Sequence, residues 1–176
     1  MNNLTFLQNV KTQKGDSIWD LSFKSPVLVV LLRHFGCVFC KEALAELGKI
    51  QGIIRKQNTH LVLVHLSDSQ TAESIFKSYG LENVDYVSDP DATVYQEFGL
   101  LKARLQQMIG LKVWLRTFQQ GVIKGHGLNN PADGDVFQMP GVYLIWKGHV
   151  KDEYIHGTIA DKPDYLKMSK CENCTP

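Results

Sequence analysis

The chain has 176 residues, 44% of them apolar and 21% charged, and its 19 basic and 18 acidic side chains leave a net charge of +1. This length suits one domain with its own hydrophobic core. No run of Lys or Arg marks a surface for nucleic acid or for an anionic membrane. The longest apolar run, Val27 to Leu32, is far shorter than the roughly 20 residues of a membrane-spanning helix.

The N-terminal stretch and the cysteines point to one compartment. "MNNLTFLQNVKTQKGD" lacks a basic region followed by an apolar region, so a secretory signal is not expected and the predicted location is the cytoplasm. Structural disulfides are rare there. The four cysteines form two CxxC pairs, Cys37/Cys40 and Cys171/Cys174. In a reducing compartment such pairs indicate redox or metal chemistry.

The first third of the chain predicts a buried strand followed by a long helix. Residues 3–24 are expected to form short strands and turns. Val27 to Leu32 is continuously apolar, which is typical of a strand buried on both faces of a sheet. After Cys37, apolar residues recur at helical spacing, and Gly48 and Gly52 weaken the predicted helix. These apolar residues are Leu44, Leu47, Ile50 and Ile54.

The middle of the chain alternates strands and helices. Residues 60–66 predict a strand, 69–81 a helix closed by a glycine, 84–89 a short strand and 90–100 a helical turn. The order β-α-β-α predicts an α/β sheet with right-handed crossovers.

The last third predicts an insertion before a final hairpin. Residues 101–120 are amphipathic, which favours a core-facing helix over a membrane-binding or partner-binding one. Residues 121–135 hold four Gly and one Pro and predict a long loop of the kind that often covers a binding site. Residues 142–157 predict a β-hairpin, and 163–168 a short helix.

The strand–Gly–CxxC–helix arrangement indicates thiol chemistry. A thiol attacks only when ionised, and the free N–H groups and dipole at a helix N-terminus lower its pKa. The spacing of one helical turn lets the second sulfur reach the first. One thiolate can therefore attack a disulfide or a peroxide, and the other can resolve the product. Two other interpretations are open, namely that Cys37 and Cys40 only fill space, or that they form half of a zinc site.

Several segments resemble one known family. "SPVLVVLLRHFGCVFCKEALAEL" is similar to the active-site segment of thioredoxin-fold proteins, and more narrowly to the AhpC/TSA-type peroxiredoxin-like 2 family, which carries a "RHFGCxFC"-like stretch. "YVSDPDATVYQEFGL" resembles a peroxiredoxin segment. "GLKVWLRTFQQGVIKGHG" and "DGDVFQMPGVYLIWKGHV" continue the likeness, and the latter also resembles the cis-proline loop and last hairpin of thioredoxins.

The resemblance implies an α/β thioredoxin-like fold. A central mixed sheet flanked by helices would carry a short N-terminal β extension and an inserted helix-plus-loop before the last hairpin. Residues 1–170 would form the single domain, and 171–176 a C-terminal CxxC tail.

The resemblance also implies a thiol-dependent oxidoreductase with antioxidant or reductase activity. The substrate would be a peroxide, a lipid endoperoxide among them, or a disulfide. No bound cofactor is needed because the sulfurs carry the electrons, and no metal is expected. Thioredoxin, glutaredoxin or glutathione would be the reducing partner, and a homodimer is open. The alternative function is a thioredoxin-fold binding module that acts through a partner protein and whose CxxC is structural or binds zinc.

The resemblance leaves the identity of the attacking cysteine open. Thioredoxins use the first cysteine, which corresponds to Cys37. Typical peroxiredoxins carry Thr-x-x-Cys and use the later position, which corresponds to Cys40. In this chain Cys37 stands in place of the Thr, and no Pro lies between Arg33 and Cys40. We expect Cys37 to attack and Cys40 to resolve.

Further candidates flank the cysteines or lie near the chain end. Arg33 would stabilise a thiolate by its charge, and Lys41 is a weaker candidate for the same role. The candidates for a substrate cleft are His34, Gln138, Met139 and Pro140, with His126 and Asp135 as weaker ones.

Pro140 matches the position of the thioredoxin cis-proline, so a cis bond before it is a hypothesis. Cys171 and Cys174 are accessory redox candidates. Zinc binding, an incidental disulfide and no role are their alternatives.

Overall fold

A sheet of five strands in the order β3-β2-β1-β4-β5 forms the centre of the protein. In the computed structural model, which describes residues 4–35, 37–100, 102, 138–157, 161–172 and 174, the element bounds are as follows. The strands are β1 (Val27–Leu31), β2 (His60–His65), β3 (Asp85–Ser88), β4 (Gly141–Trp146) and β5 (His149–Ile155). The helices are a 3-10 helix (Leu4–Gln8), α1 (Ile18–Lys24), α2 (Val38–Lys56), α3 (Ser69–Ser78), α4 (Thr93–Glu97) and α5 (Tyr165–Met168).

The sheet is mixed, and both of its faces are covered. Strands β1, β2 and β3 are parallel, whereas β4 runs antiparallel to β1 and β5 antiparallel to β4. All five side chains of β1 are buried, and they alternate between two apolar clusters on opposite faces. The prediction of a strand buried on both faces is therefore confirmed, as is the mixed sheet flanked by helices.

The predicted N-terminal β extension is wrong. Residues 4–8 form a 3-10 helix, and α1 follows, so the β structure described in this region is a single bridge between Lys11 and Ser17. Ser17 caps α1 because its hydroxyl accepts a hydrogen bond from the backbone N–H of Asp20 at 3.0 Å. Ile18 and Leu21, one turn apart, bury the same face of α1.

Most of the predicted insertion lies outside the described residues. The amphipathic stretch 101–120 is described only at Lys102, and the loop 121–135, with His126 and Asp135, is not described. Lys102 and Gln138, on either side of this segment, form an isolated antiparallel bridge. None of the helices that the structure describes is long and apolar enough to cross a membrane.

A close contact between α2 and the end of α3 explains one of the two glycines in α2. A Cβ atom on Gly48 would lie 2.2 Å from the backbone oxygen of Tyr79, whereas a Cβ atom on Gly52 would meet nothing within 4 Å. Gln51 strengthens the same contact by donating a hydrogen bond from its amide to the Gly80 carbonyl. Gly48 is therefore required for helix packing, and Gly52 is not.

We expect Gly48→Ala and Gly52→Ala to change stability in opposite directions. Alanine should stabilise the helix by about 1 kcal/mol at Gly52. At Gly48 that gain is outweighed by the collision with a backbone oxygen, so we expect a net loss of about 2 kcal/mol. Urea unfolding of both variants checks this. Equal free energies of unfolding for the two variants would contradict the close contact.

Candidate active site

The end of β1 and the start of α2 position the two cysteines. Cys37 is the N-cap of α2, and its carbonyl accepts the first helical hydrogen bond, from the backbone N–H of Lys41 at 3.1 Å. Cys40 follows in the first turn of the helix. Both side chains are buried, with exposed fractions of 9% for Cys37 and 5% for Cys40. Both are free thiols.

Arg33 contacts both sulfurs. Its guanidinium Nη1 donates to Cys37 Sγ at 3.5 Å, and its backbone N–H donates to Cys40 Sγ at 3.4 Å. The Arg33 side chain is itself 3% exposed. A buried cation within hydrogen-bond distance stabilises a thiolate more strongly than a solvated one does, because water screens it less.

The environment separates the two pKa values. The hydrogen bond from Cys40 is the largest effect that lowers the pKa of Cys37, to about 6 from the usual 9.0. Burial opposes this effect, while the Arg33 charge and the backbone N–H groups of Cys40 and Phe39 reinforce it. The hydrogen bond to Cys37, together with burial, raises the pKa of Cys40 well above its usual value. At neutral pH the arrangement favours a Cys37 thiolate that accepts the Cys40 S–H.

A buried tyrosine holds the strand ends beneath the cysteines. The Tyr95 hydroxyl donates to the Leu32 carbonyl and, at 3.1 Å, to the Val64 carbonyl. Leu32 and Val64 are joined directly as well, by a backbone hydrogen bond of 2.8 Å. Tyr95 therefore fixes the ends of β1 and β2, immediately before Arg33.

A cavity of about 90 Å³ opens beside Cys40. It lies between the first turn of α2, the start of β4 and the segment before α5. At its rim Lys162 Nζ and Glu46 form a salt bridge of 2.8 Å. Its lining includes Arg33, Phe39, Cys40, Pro140, His156 and Tyr165.

Comparison with known proteins supports the predicted thioredoxin-like fold. No protein-family model matches the chain. Prostamide/prostaglandin F synthase of Danio rerio is 23% identical over 167 residues, which cover 93% of this chain and 82% of that protein. Peroxiredoxin-like 2C of Mus musculus is 32% identical over 74 residues, which cover 42% of this chain and 32% of that protein.

Among solved structures, a cysteine-to-serine mutant of PrxQ from Xylella fastidiosa superposes with a TM-score of 0.63. It is 12% identical and covers 93% of this chain and 86% of the PrxQ chain. The chain therefore has a thioredoxin-like fold and is similar to peroxiredoxin-like proteins.

The fold brings some of the predicted site residues together. Arg33, Cys37 and Cys40 are in mutual contact, and Pro140 lines the cavity beside Cys40. The bond before Pro140 is trans, since the described residues contain no cis peptide bond, so the cis hypothesis is wrong.

The other predicted cleft residues are not among those that line the cavity. Gln138 is 1% exposed and donates from its amide to the Leu100 carbonyl at 3.1 Å. Met139 is also buried, and His34 is half-buried in the turn before Cys37. A role for these three in substrate binding stays a prediction.

Two residues of the cavity are not marked by the sequence. His156 lies in the predicted hairpin and Tyr165 in the predicted short helix, yet both line the cavity with Cys40. Burial lowers the pKa of His156 and raises the pKa of Tyr165. Both side chains therefore favour their neutral forms at neutral pH, in which each can donate or accept a hydrogen bond.

Proposed function

We propose that the protein is a thiol-dependent oxidoreductase that reduces a peroxide or a disulfide through a Cys37–Cys40 dithiol/disulfide cycle. The observation that carries this proposal is the contact of Cys37 Sγ with Arg33, at 3.5 Å, at the N-terminus of α2. The similarity to peroxiredoxin-like proteins supports the same class of chemistry.

In the first step the Cys37 thiolate attacks the substrate. With a disulfide substrate, the Cys37 sulfur forms a mixed disulfide and one substrate thiolate leaves. With a peroxide, the thiolate attacks one oxygen, the O–O bond breaks, and Cys37 becomes a sulfenic acid while the alcohol or water leaves. The Arg33 charge stabilises the thiolate before either reaction.

In the second step Cys40 resolves the product. The Cys37 thiolate is the main reason why the pKa of Cys40 is raised. Once the Cys37 sulfur is covalently bound, it no longer carries that charge, and Cys40 can lose its proton. The Cys40 thiolate then attacks Cys37 Sγ, which forms the Cys37–Cys40 disulfide and releases the substrate thiol, or water from the sulfenic acid. An external thiol such as thioredoxin, glutaredoxin or glutathione would restore the dithiol.

The cavity beside Cys40 offers a place for the substrate. It is lined by Cys40 and Arg33, which both contact Cys37, and by Tyr165 and His156. The resemblance given by the sequence adds a lipid endoperoxide to the substrates to be tested, and the relative from Danio rerio is named as a prostamide/prostaglandin F synthase. A panel of hydrogen peroxide, an alkyl hydroperoxide, a lipid endoperoxide and a protein disulfide would rank these substrates.

A thiol titration tests the proposal directly. We expect Cys37 to react with iodoacetamide with an apparent pKa of about 6, because Cys40 and Arg33 stabilise its anion. Metal analysis of the same sample separates this function from a zinc-binding module. A pKa near the usual 9.0, or one zinc ion per chain, would refute the proposal.

Replacing Arg33 should shift this titration. We expect Arg33→Gln to raise the pKa of Cys37 by about one unit, because the variant removes a buried positive charge beside the sulfur. Lys41→Gln is the matched control, since Lys41 is exposed in the first turn of the same helix. Iodoacetamide kinetics against pH measure both variants. Equal shifts would mean that only the net charge of this region matters and would contradict a specific role for Arg33.

A further inference from the structure

The second cysteine pair lies at the far end of α2 from Cys37. Cys171 and Cys174 form a disulfide, whereas Cys37 and Cys40 are free thiols. Two residues before Cys171, the Ser169 hydroxyl donates to the Gln57 side chain at 2.5 Å, just after the C-terminus of α2. The Thr59 hydroxyl donates to the Ser169 carbonyl at 2.7 Å, and Ser169 is fully buried. The chain is therefore anchored immediately before the disulfide.

This anchoring keeps the two pairs apart within one molecule. Helix α2 has 19 residues, which span roughly 28 Å at about 1.5 Å per residue. Two residues of chain reach at most about 7 Å from Ser169. Sulfur atoms must come into contact for exchange, so the Cys171–Cys174 disulfide cannot exchange with Cys37 of the same molecule in this conformation.

The disulfide borders a cavity that carries positive charge. Cys171 packs partly against the core and lines a cavity of about 250 Å³ on the outside of β4 and β5. The cavity is lined by Leu144, Lys151, Asp152, Lys167, Lys170, Cys171 and Glu172. Its three lysines are exposed and outnumber its two carboxylates, and Asp152 is already engaged as an acceptor for the Glu153 N–H at 2.9 Å.

We propose that Cys171–Cys174 is a second thiol–disulfide exchange centre, which accepts electrons from a small thiol that carries carboxylates. The lysines attract such a thiol, and their charge also stabilises the thiolate that leaves. The centre works independently of Cys37 and Cys40 of the same molecule. It does not depend on the function proposed for that pair.

The exchange takes two steps, in which every electron pair and proton is accounted for. A thiolate attacks Cys171 Sγ, the S–S bond breaks, and its electron pair leaves on Cys174 Sγ, which takes a proton from water. A second thiolate attacks the thiol-derived sulfur of the mixed disulfide and releases Cys171 as a thiolate. Two small thiols are thereby oxidised to their disulfide, and the Cys171–Cys174 pair is reduced by two electrons.

The test uses the double variant Cys37→Ser/Cys40→Ser, in which Cys171 and Cys174 are the only remaining cysteines. Its reduction is timed with 3-mercaptopropionate, 2-mercaptoethanol and cysteamine, which are anionic, neutral and cationic, at equal thiolate concentration. Because the nucleophilicity of a thiolate falls with the pKa of its thiol, the quantity compared is the ratio of the anionic to the cationic rate, relative to the same ratio measured with a neutral model disulfide. We expect this ratio to be about tenfold higher for the protein at low salt. Peptide mapping of the unaltered protein after alkylation repeats the measurement if the double variant does not fold.

A lysine variant and its control locate the charge. The triple variant Lys151→Gln/Lys167→Gln/Lys170→Gln should lower the anionic-to-cationic rate ratio to the value measured with the neutral model disulfide. Lys77→Gln, a variant of an exposed lysine on α3, should leave the ratio unchanged. A ratio in the unaltered cavity equal to that of the model disulfide would overturn the proposal. A disulfide that only a protein dithiol can reduce, or that no thiol reduces without unfolding the chain, would overturn it as well. Because Cys37 is absent from the double variant, these outcomes are separate from a failure of the first site.

Discussion

Replacement of Cys37 by serine is expected to lower the rate of substrate reduction by at least about 1,000-fold, as for other enzymes that lose their nucleophile. A serine hydroxyl does not ionise near neutral pH and cannot store the transferred electrons as a disulfide. Peroxide consumption and reduction of a model disulfide, each coupled to an external dithiol, measure the loss. The fold should be retained, because serine differs from cysteine by one atom and Cys37 lies at a helix cap, where serine is favourable.

The partner variant Cys40→Ser should separate attack from resolution. We expect it to lose turnover but to keep a single reaction of Cys37 with substrate, which leaves a mixed disulfide or a sulfenic acid. Intact-protein mass spectrometry detects either product. The hydrogen bond from Cys40 is the largest effect that lowers the pKa of Cys37, and a serine hydroxyl can still donate it. Cys40→Ala removes the donor, so in that variant Cys37 should titrate at a higher pKa than in the unaltered protein.

The structure also allows Cys40, rather than Cys37, to be the residue that attacks a peroxide. Cys40 lines the cavity and corresponds to the position that typical peroxiredoxins use. If Cys37→Ser still consumed peroxide while Cys40→Ser did not, Cys40 would be the attacking residue for peroxides. Running peroxide and disulfide substrates in parallel shows whether the assignment of Cys37 holds for both.

The sequence was sufficient for those parts of the fold that depend on local periodicity. The continuous apolar run of β1 and the helical spacing after Cys37 predicted the β1–α2 junction, and the structure confirms it. Asp89 lies between the predicted strand 84–89 and the predicted helical turn 90–100, and its carboxylate accepts hydrogen bonds from the N–H groups of Thr93 at 3.0 Å and Val94 at 2.8 Å. In each case the determining residues lie within a few positions of one another.

The parts of the site that the sequence did not predict depend on contacts between residues that are distant in the chain. Arg33 was proposed for its charge, but the bond from its backbone N–H to Cys40 Sγ follows only from the turn between β1 and α2. His156 and Tyr165 reach the cavity from more than a hundred residues beyond Cys40, and no local pattern marks them. In the N-terminal segment, Leu4 and Leu7 are buried at helical spacing, but four residues are too few to distinguish that spacing from a strand.

His65 is a further buried group whose effect the sequence did not reveal. It ends β2 with no exposed surface, and its ring lies 5.3 Å from Phe35 and 5.5 Å from both Phe76 and Tyr86, measured between ring centroids. Within the part of the chain that the structure describes, neither ring nitrogen has a hydrogen-bond partner. Burial lowers the pKa of His65 to about 4 from the usual 6.5.

We expect this histidine to destabilise the protein in mild acid. Between pH 6.5 and 4 the unfolded chain binds a proton at His65 that the folded chain does not. The free energy of unfolding should therefore fall as the pH falls through this window, by a contribution of about 3 kcal/mol from His65. Above pH 6.5 both states are neutral and the contribution is constant. Urea unfolding as a function of pH measures the slope.

The variant His65→Leu isolates this contribution. Leucine has a similar size and no proton to bind, so the difference in unfolding free energy between the variant and the unaltered protein should grow as the pH falls from 6.5 to 4. Burial lowers the pKa of His156 as well, and its contribution cancels in this difference. The control is His149→Leu, at an exposed position on β5, which should keep the acid sensitivity. Parallel pH profiles for His65→Leu and the unaltered protein would mean that His65 accepts a proton inside the fold. That proton would then lie beside the ring of Phe35, two residues before Cys37 in the sequence.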